Sequence, residues 1–96
     1  MNFKLITIIC EPVLIPGIIK LTEGLGATGF TMTDVRGHGS SATSSGEISD
    51  SKVKFEIVSP ASLAEQITAE ISRLYFKNYS LIIYSADILV ARPEKF

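Results

Sequence analysis

A chain of 96 residues is sized for one domain, spanning 1–96. Nine Lys and Arg against ten Asp and Glu give a formal charge of -1 with no charged block, which excludes a nucleic-acid binder working through a broad basic face. The single cysteine, Cys10, excludes an internal disulfide and a cysteine metal cluster, and its place in an apolar run suits a small buried hydrophobe in a reducing compartment.

The opening stretch MNFKLITIICEPVLIPGIIK is apolar, but Glu11, Pro12 and Pro16 interrupt it and no small-residue cleavage site follows. No run reaches the roughly 18 uninterrupted apolar residues of a membrane helix. The expectation is a cytoplasmic protein with no direct membrane insertion.

Phe3 to Cys10 is rich in β-branched residues and predicts a strand. Pro12 and Pro16 mark a helix entrance. Leu14, Ile18, Leu21 and Leu25 then recur at helical spacing up to Gly26, a natural stop, so a helix is predicted over about Val13 to Leu25. Thr28 to Arg36 alternates, Phe30 and Met32 against Thr31 and Thr33, as a half-buried strand does. Gly37 to Ser51 is serine- and glycine-rich, with Ile48 its only large apolar residue, and is expected to be a mobile loop. Lys52 to Ser59 alternates again. Ser59-Pro60 opens a second helix with Leu63, Ile67, Ile71 and Leu74 as its stripe, and Ser62 with Glu65 offers a capping box as a second start. Asn78 to Ser80 is a turn, Leu81 to Ala91 the last strand, and RPEKF a short tail.

The order β-α-β, long loop, β-α-β gives an α+β, ferredoxin-like fold: a four-stranded antiparallel sheet with two helices on one face and a long loop between strands 2 and 3. The first and last strands are apolar on both sides, Leu5 and Ile9 against Ile6 and Ile8, and Leu81 and Ile83 against Ile82 and Tyr84. Two helices cover one face only. The other is expected to meet further copies of the chain.

No catalytic constellation emerges, and the chain is not expected to be an enzyme. His38 is the only histidine and sits in a glycine turn; the carboxylates are scattered without metal-ligand spacing, so no metal site and no cofactor are expected. The turn Gly37-His38-Gly39-Ser40-Ser41 follows a strand with no helix behind it, unlike a Rossmann turn or a Walker loop. Converging glycine N–H groups, serine hydroxyls and the charges of Arg36 and His38 suit an anion, while by spacing alone a hairpin bend is the commoner explanation.

Four stretches, FKLITIICEP, IIKLTEGLGATGFTMTDVRGHG, SKVKFEIV and ADILVAR, resemble the PII signal-transduction proteins, most closely the PII-like regulators linked to bicarbonate uptake and carboxysomes. The resemblance runs through nearly the whole chain. It implies a homotrimer that binds adenine nucleotides (AMP, ADP, cyclic AMP or ATP) between subunits. It also implies signalling through the loop after strand 2, the T-loop, to a protein partner such as a membrane bicarbonate transporter, which would make the protein peripheral to the membrane.

Carried over residue by residue, Gly37, His38, Gly39, Ser40 and Ser41 form the T-loop base, with Arg36 beside them as a further nucleotide-binding candidate. Thr31 and Glu56 line the adenine pocket, Tyr79 and Ser80 fall at the B-loop, and Arg92 contacts phosphate across the subunit boundary. The segment after the glycine turn, SSATSSG, lacks the basic residues of the bicarbonate-linked relatives, which points to a mono- or diphosphate or a cyclic nucleotide. The T-loop has no tyrosine to uridylylate. The alternative is a ligand-free, CutA-like trimer of the same fold in which the loop is only a connector.

Overall fold

Strand β1, Phe3–Cys10, has a partner on both sides in the computed structural model, which describes residues 2–37 and 50–96. On one side it pairs antiparallel with β3, Asp50–Pro60, from Phe3 opposite Pro60 to Cys10 opposite Val53. On the other it pairs antiparallel with β4, Ile82–Ile88, from Phe3 opposite Ile88 to Ile9 opposite Ile82. Strand β2, Thr31–Gly37, closes the sheet beside β3, giving the order β2-β3-β1-β4. Helices α1, Ile15–Leu25, and α2, Ala61–Tyr75, lie on one face. This is the predicted ferredoxin-like α+β arrangement.

The core follows from the two-residue strand period. Ile6, Ile8 and Cys10 of β1 and Val53, Phe55 and Ile57 of β3 point to the helices. Ile15 and Ile18 of α1 and Ala64, Ile67 and Ile71 of α2 close over them. Burying one such large side chain contributes roughly 1.5–3 kcal/mol. Phe55 is fully buried and stacks on Phe30 with ring centroids 4.9 Å apart.

The boundaries shift from the sequence reading for identifiable reasons. Pro12 opens a short 3-10 turn, Pro12–Leu14, so α1 begins only at Ile15 with Pro16 in its first turn. Gly26 ends α1 with φ 110°: its N–H reaches Glu23 O at 3.0 Å and the Ala27 N–H reaches Thr22 O at 3.0 Å, the reciprocal pair of a Schellman motif. Helix α2 starts at Ala61, whose N–H donates to Asn2 O at 2.9 Å, and no side-chain cap forms, so the proline entrance prevails over the Ser62–Glu65 box. Strand β3 begins earlier than its apolar alternation suggests, because Asp50 and Ser51 pair with Gly37 and Arg36. Strand β4 ends at Ile88 because β1 has no residue left to pair with Leu89 to Ala91. The expected loop motion concerns residues that lie largely outside those described; Asp50 and Ser51 belong to β3.

The second face of the sheet has no helix over it. Leu5, Thr7 and Ile9 of β1 share it with Val58 of β3 and with Ile82, Tyr84 and Ala86 of β4. Ile82 and Tyr84 are about half exposed in the single chain. At one end the tail folds back, and Phe96 meets Phe3 edge-on with ring centroids 6.5 Å apart.

Substituting Ile18→Ala removes a fully buried side chain and should cost about 2–5 kcal/mol of stability. Lys20→Ala, on the exposed side of the same helix, should change stability by less than about 0.5 kcal/mol. Denaturant unfolding at one fixed protein concentration checks both.

Candidate functional site

The register across the sheet places several candidate residues in one row. Thr31 of β2 stands opposite Glu56 of β3, Glu56 stands opposite Thr7 of β1, and Thr7 stands opposite Tyr84 of β4. This row lies on the face without helices. Thr31 is exposed and Glu56 is half-buried, so the β2–β3 side of that face is polar where the β1–β4 side is mostly apolar.

One step toward the loop, Thr33 stands opposite Lys54, and Val35 opposite Lys52. Both lysines therefore share the face of Thr31 and Glu56. Neither is among the residues that the sequence reading singles out, although the alternation Lys52, Lys54, Glu56 in KVKFE carries the signal. Arg36 alternates to the opposite side, where it stands across from Ser51. A shallow groove of about 440 Å³ at this end of the hairpin is lined by Pro12, Asp34, Val35, Arg36, Ser51 and Lys52. The loop base thus offers cations from both sides of the hairpin. Gly37 closes the ladder, and a Cβ built there would meet nothing within 4 Å. His38, Gly39, Ser40 and Ser41 lie outside the described residues.

Tyr79 and Ser80 precede β4, whose first residue Ile82 pairs with Ile9 near the Cys10 end of β1. They belong to the same end of the sheet as the loop base, two strand spacings from β3 or about 10 Å. The Tyr79 N–H donates to Tyr75 O at 3.0 Å, and the two rings lie 5.9 Å apart. The Tyr75 hydroxyl in turn lies where a Cβ on Gly17 would come within 2.8 Å. Gly17 therefore gives Tyr75 the room to lean over α1 while it supports Tyr79.

Arg92 is elsewhere. It follows β4 past Ile88, which pairs with Phe3 at the opposite end of β1. Along the strand direction this is about 23 Å from the Cys10 end. Its side chain is exposed, with Nε 3.9 Å from Glu94 Oε2. Within one chain, Arg92 and the loop base sit at opposite ends of the sheet.

Among the described residues, no three His, Cys, Asp or Glu side chains cluster closely enough to hold a metal ion. No helix among them is long and apolar enough to cross a membrane.

The model of the nitrogen regulatory protein P-II family matches residues 3–95. The chain belongs to the PII family. A PII-like signaling protein from Thermus thermophilus is 30% identical, with a TM-score of 0.84 over 100% of this chain and 96% of its own. CPII from Thiomonas intermedia, in a structure bound to ADP and bicarbonate, is 24% identical with a TM-score of 0.85, covering 100% of this chain and 95% of its own. GlnK from B. subtilis, in a complex with ATP, is 19% identical with a TM-score of 0.75 over 99% of this chain and 96% of its own. The last two likenesses show the shared PII fold.

Cys10 ends β1 beneath the T-loop base and is buried. Burial pushes its thiol pKa up, against a smaller downward pull from Lys52. A pKa raised on folding means that the folded state holds the proton more tightly. The resulting stability is present below the unfolded value of about 8.5 and fades as pH rises through the folded one. Wild-type stability should therefore fall relative to a Cys10→Ala variant from about pH 8.5 upward. Denaturation midpoints of the two proteins across that range check it.

Proposed function

We propose that this PII protein is a regulator rather than an enzyme: a homotrimer that binds an adenine nucleotide between subunits and signals through its T-loop. The observation that carries the reading is the separation of Arg92 from the loop base within one chain. An arginine about 23 Å along the sheet from the groove at Arg36 and Lys52 can serve that groove only from another copy. The uncovered face bearing Leu5, Ile9, Ile82 and Tyr84 supplies the apolar surface on which copies would associate. The ADP bound to CPII and the ATP in the GlnK complex support an adenine nucleotide as the ligand.

In this reading Thr31 and Glu56 border the adenine. Gly37 to Ser41, with Arg36, Lys52 and Lys54, surround the phosphates, Tyr79 and Ser80 flank the same end, and Arg92 arrives from the neighbour. The two lysines add charge that the SSATSSG segment lacks. Ligand at the T-loop base would bias the order of the arm that meets a partner protein. The finer proposal follows the subfamily resemblance and the bicarbonate bound by CPII: the partner acts in bicarbonate uptake or inorganic-carbon metabolism, such as a membrane transporter approached from the cytoplasm.

Light scattering in dilute buffer should give three times the 10.4 kDa chain mass. Tyr84→Asp places a charge on the uncovered face and should shift the protein to monomer. Calorimetry should show Arg92→Ala weakening nucleotide binding by about ten- to a hundredfold, as expected for one charge-assisted hydrogen bond. A trimer that binds no nucleotide would instead favour the ligand-free, CutA-like reading.

A further inference from the structure

Arg92 is held beside a carboxylate by the tail itself. Pro93 opens a 3-10 turn, Pro93–Lys95, in which the Lys95 N–H donates to Arg92 O at 3.1 Å and the Phe96 N–H donates to Pro93 O at 3.1 Å. Phe96 then anchors the turn on Phe3, with ring centroids 6.5 Å apart. The turn keeps Glu94 on the same side as Arg92, with Oε2 3.9 Å from Nε. Both side chains are exposed, at 72% and 70%. So loose and wet a pair contributes little to stability. Its effect falls on whatever anion approaches Arg92.

We propose that Glu94 limits the negative charge a nucleotide can bring to Arg92, so that the between-subunit site disfavours ATP relative to AMP. The inference rests on the reading that Arg92 contacts nucleotide phosphate. A phosphate reaching the guanidinium must share it with the Glu94 carboxylate or move that carboxylate aside. Either way the unfavourable interaction grows with the number of charged phosphates. The opposite wall offsets this only in part, because Arg36, Lys52 and Lys54 share their hairpin with Asp34 and Glu56. Two like charges about 4 Å apart in water repel by an amount worth about fivefold in affinity, which sets the scale.

Calorimetric titration of AMP and ATP into the wild type, Glu94→Gln and Arg92→Ala tests the proposal. Glu94→Gln should tighten ATP about three- to fivefold more than AMP at low ionic strength. The difference should vanish in about 1 M salt, where the screening length is about 3 Å. An unchanged AMP-to-ATP preference in Glu94→Gln, with Arg92→Ala still weakening both ligands, overturns the role of Glu94 and leaves the nucleotide site standing. Undiminished binding in Arg92→Ala overturns the phosphate role of Arg92 and the proposal with it.

Discussion

Everything in this molecule is arranged around a central strand that is apolar on both sides. Strand β1 sends Ile6, Ile8 and Cys10 into a dry layer under the helices and Leu5, Thr7 and Ile9 to the opposite surface. The first set is satisfied within the chain. The second has no helix over it, and the tail reaches the same face only at Phe3. Water is a poor environment for such a surface, and the hydrophobic effect acts on both sets equally. In the proposed trimer, folding and association would be two halves of one response to a single eight-residue segment.

That arrangement couples the candidate site to assembly. The antiparallel ladder places the base of the β2–β3 loop and the turn before β4 at one end of the sheet and the C-terminal arginine at the other. In the proposed trimer, ligand occupancy and subunit contact become linked quantities, because a nucleotide held by two chains stabilises the form in which both are present. The alternation along β3 sharpens this. Odd positions of β3 fill the core while even positions, from Lys52 to Val58, face the surface that a neighbour would share. One strand thereby fills the core with one row of side chains and presents a second row outward, with no residue doing both.

The fold was legible because its signals are periodic. The two-residue period of KVKFEIV and the Leu14-Ile18-Leu21-Leu25 spacing reflect which sides of the elements meet the core. Element ends were less legible, since they depend on partners distant in sequence. Asp50 and Ser51 are strand because Gly37 and Arg36 lie beside them, and Leu89 to Ala91 are not, because β1 has run out. The resemblance names Thr31, Glu56 and Arg92 as candidates, whereas Lys52 and Lys54 carry no such mark. Their significance comes from register: only the pairing with Val35 and Thr33 shows which side of the hairpin they occupy. Likewise the opposition of Glu94 to Arg92 depends on the turn at Pro93, a three-dimensional fact that spacing alone does not state.

The pairing of Gly37 with Asp50 bears on how such a protein diversifies. The ladder from Thr31 to Gly37 already brings the two ends of the intervening segment together, so ring closure is met by the hairpin and not by the segment. Chain added beyond that point carries a small entropic penalty, with each doubling of length costing only about 0.6 kcal/mol. The stretch between the two clamped residues is therefore a cassette. Its length can change at little entropic cost to the core that supports it.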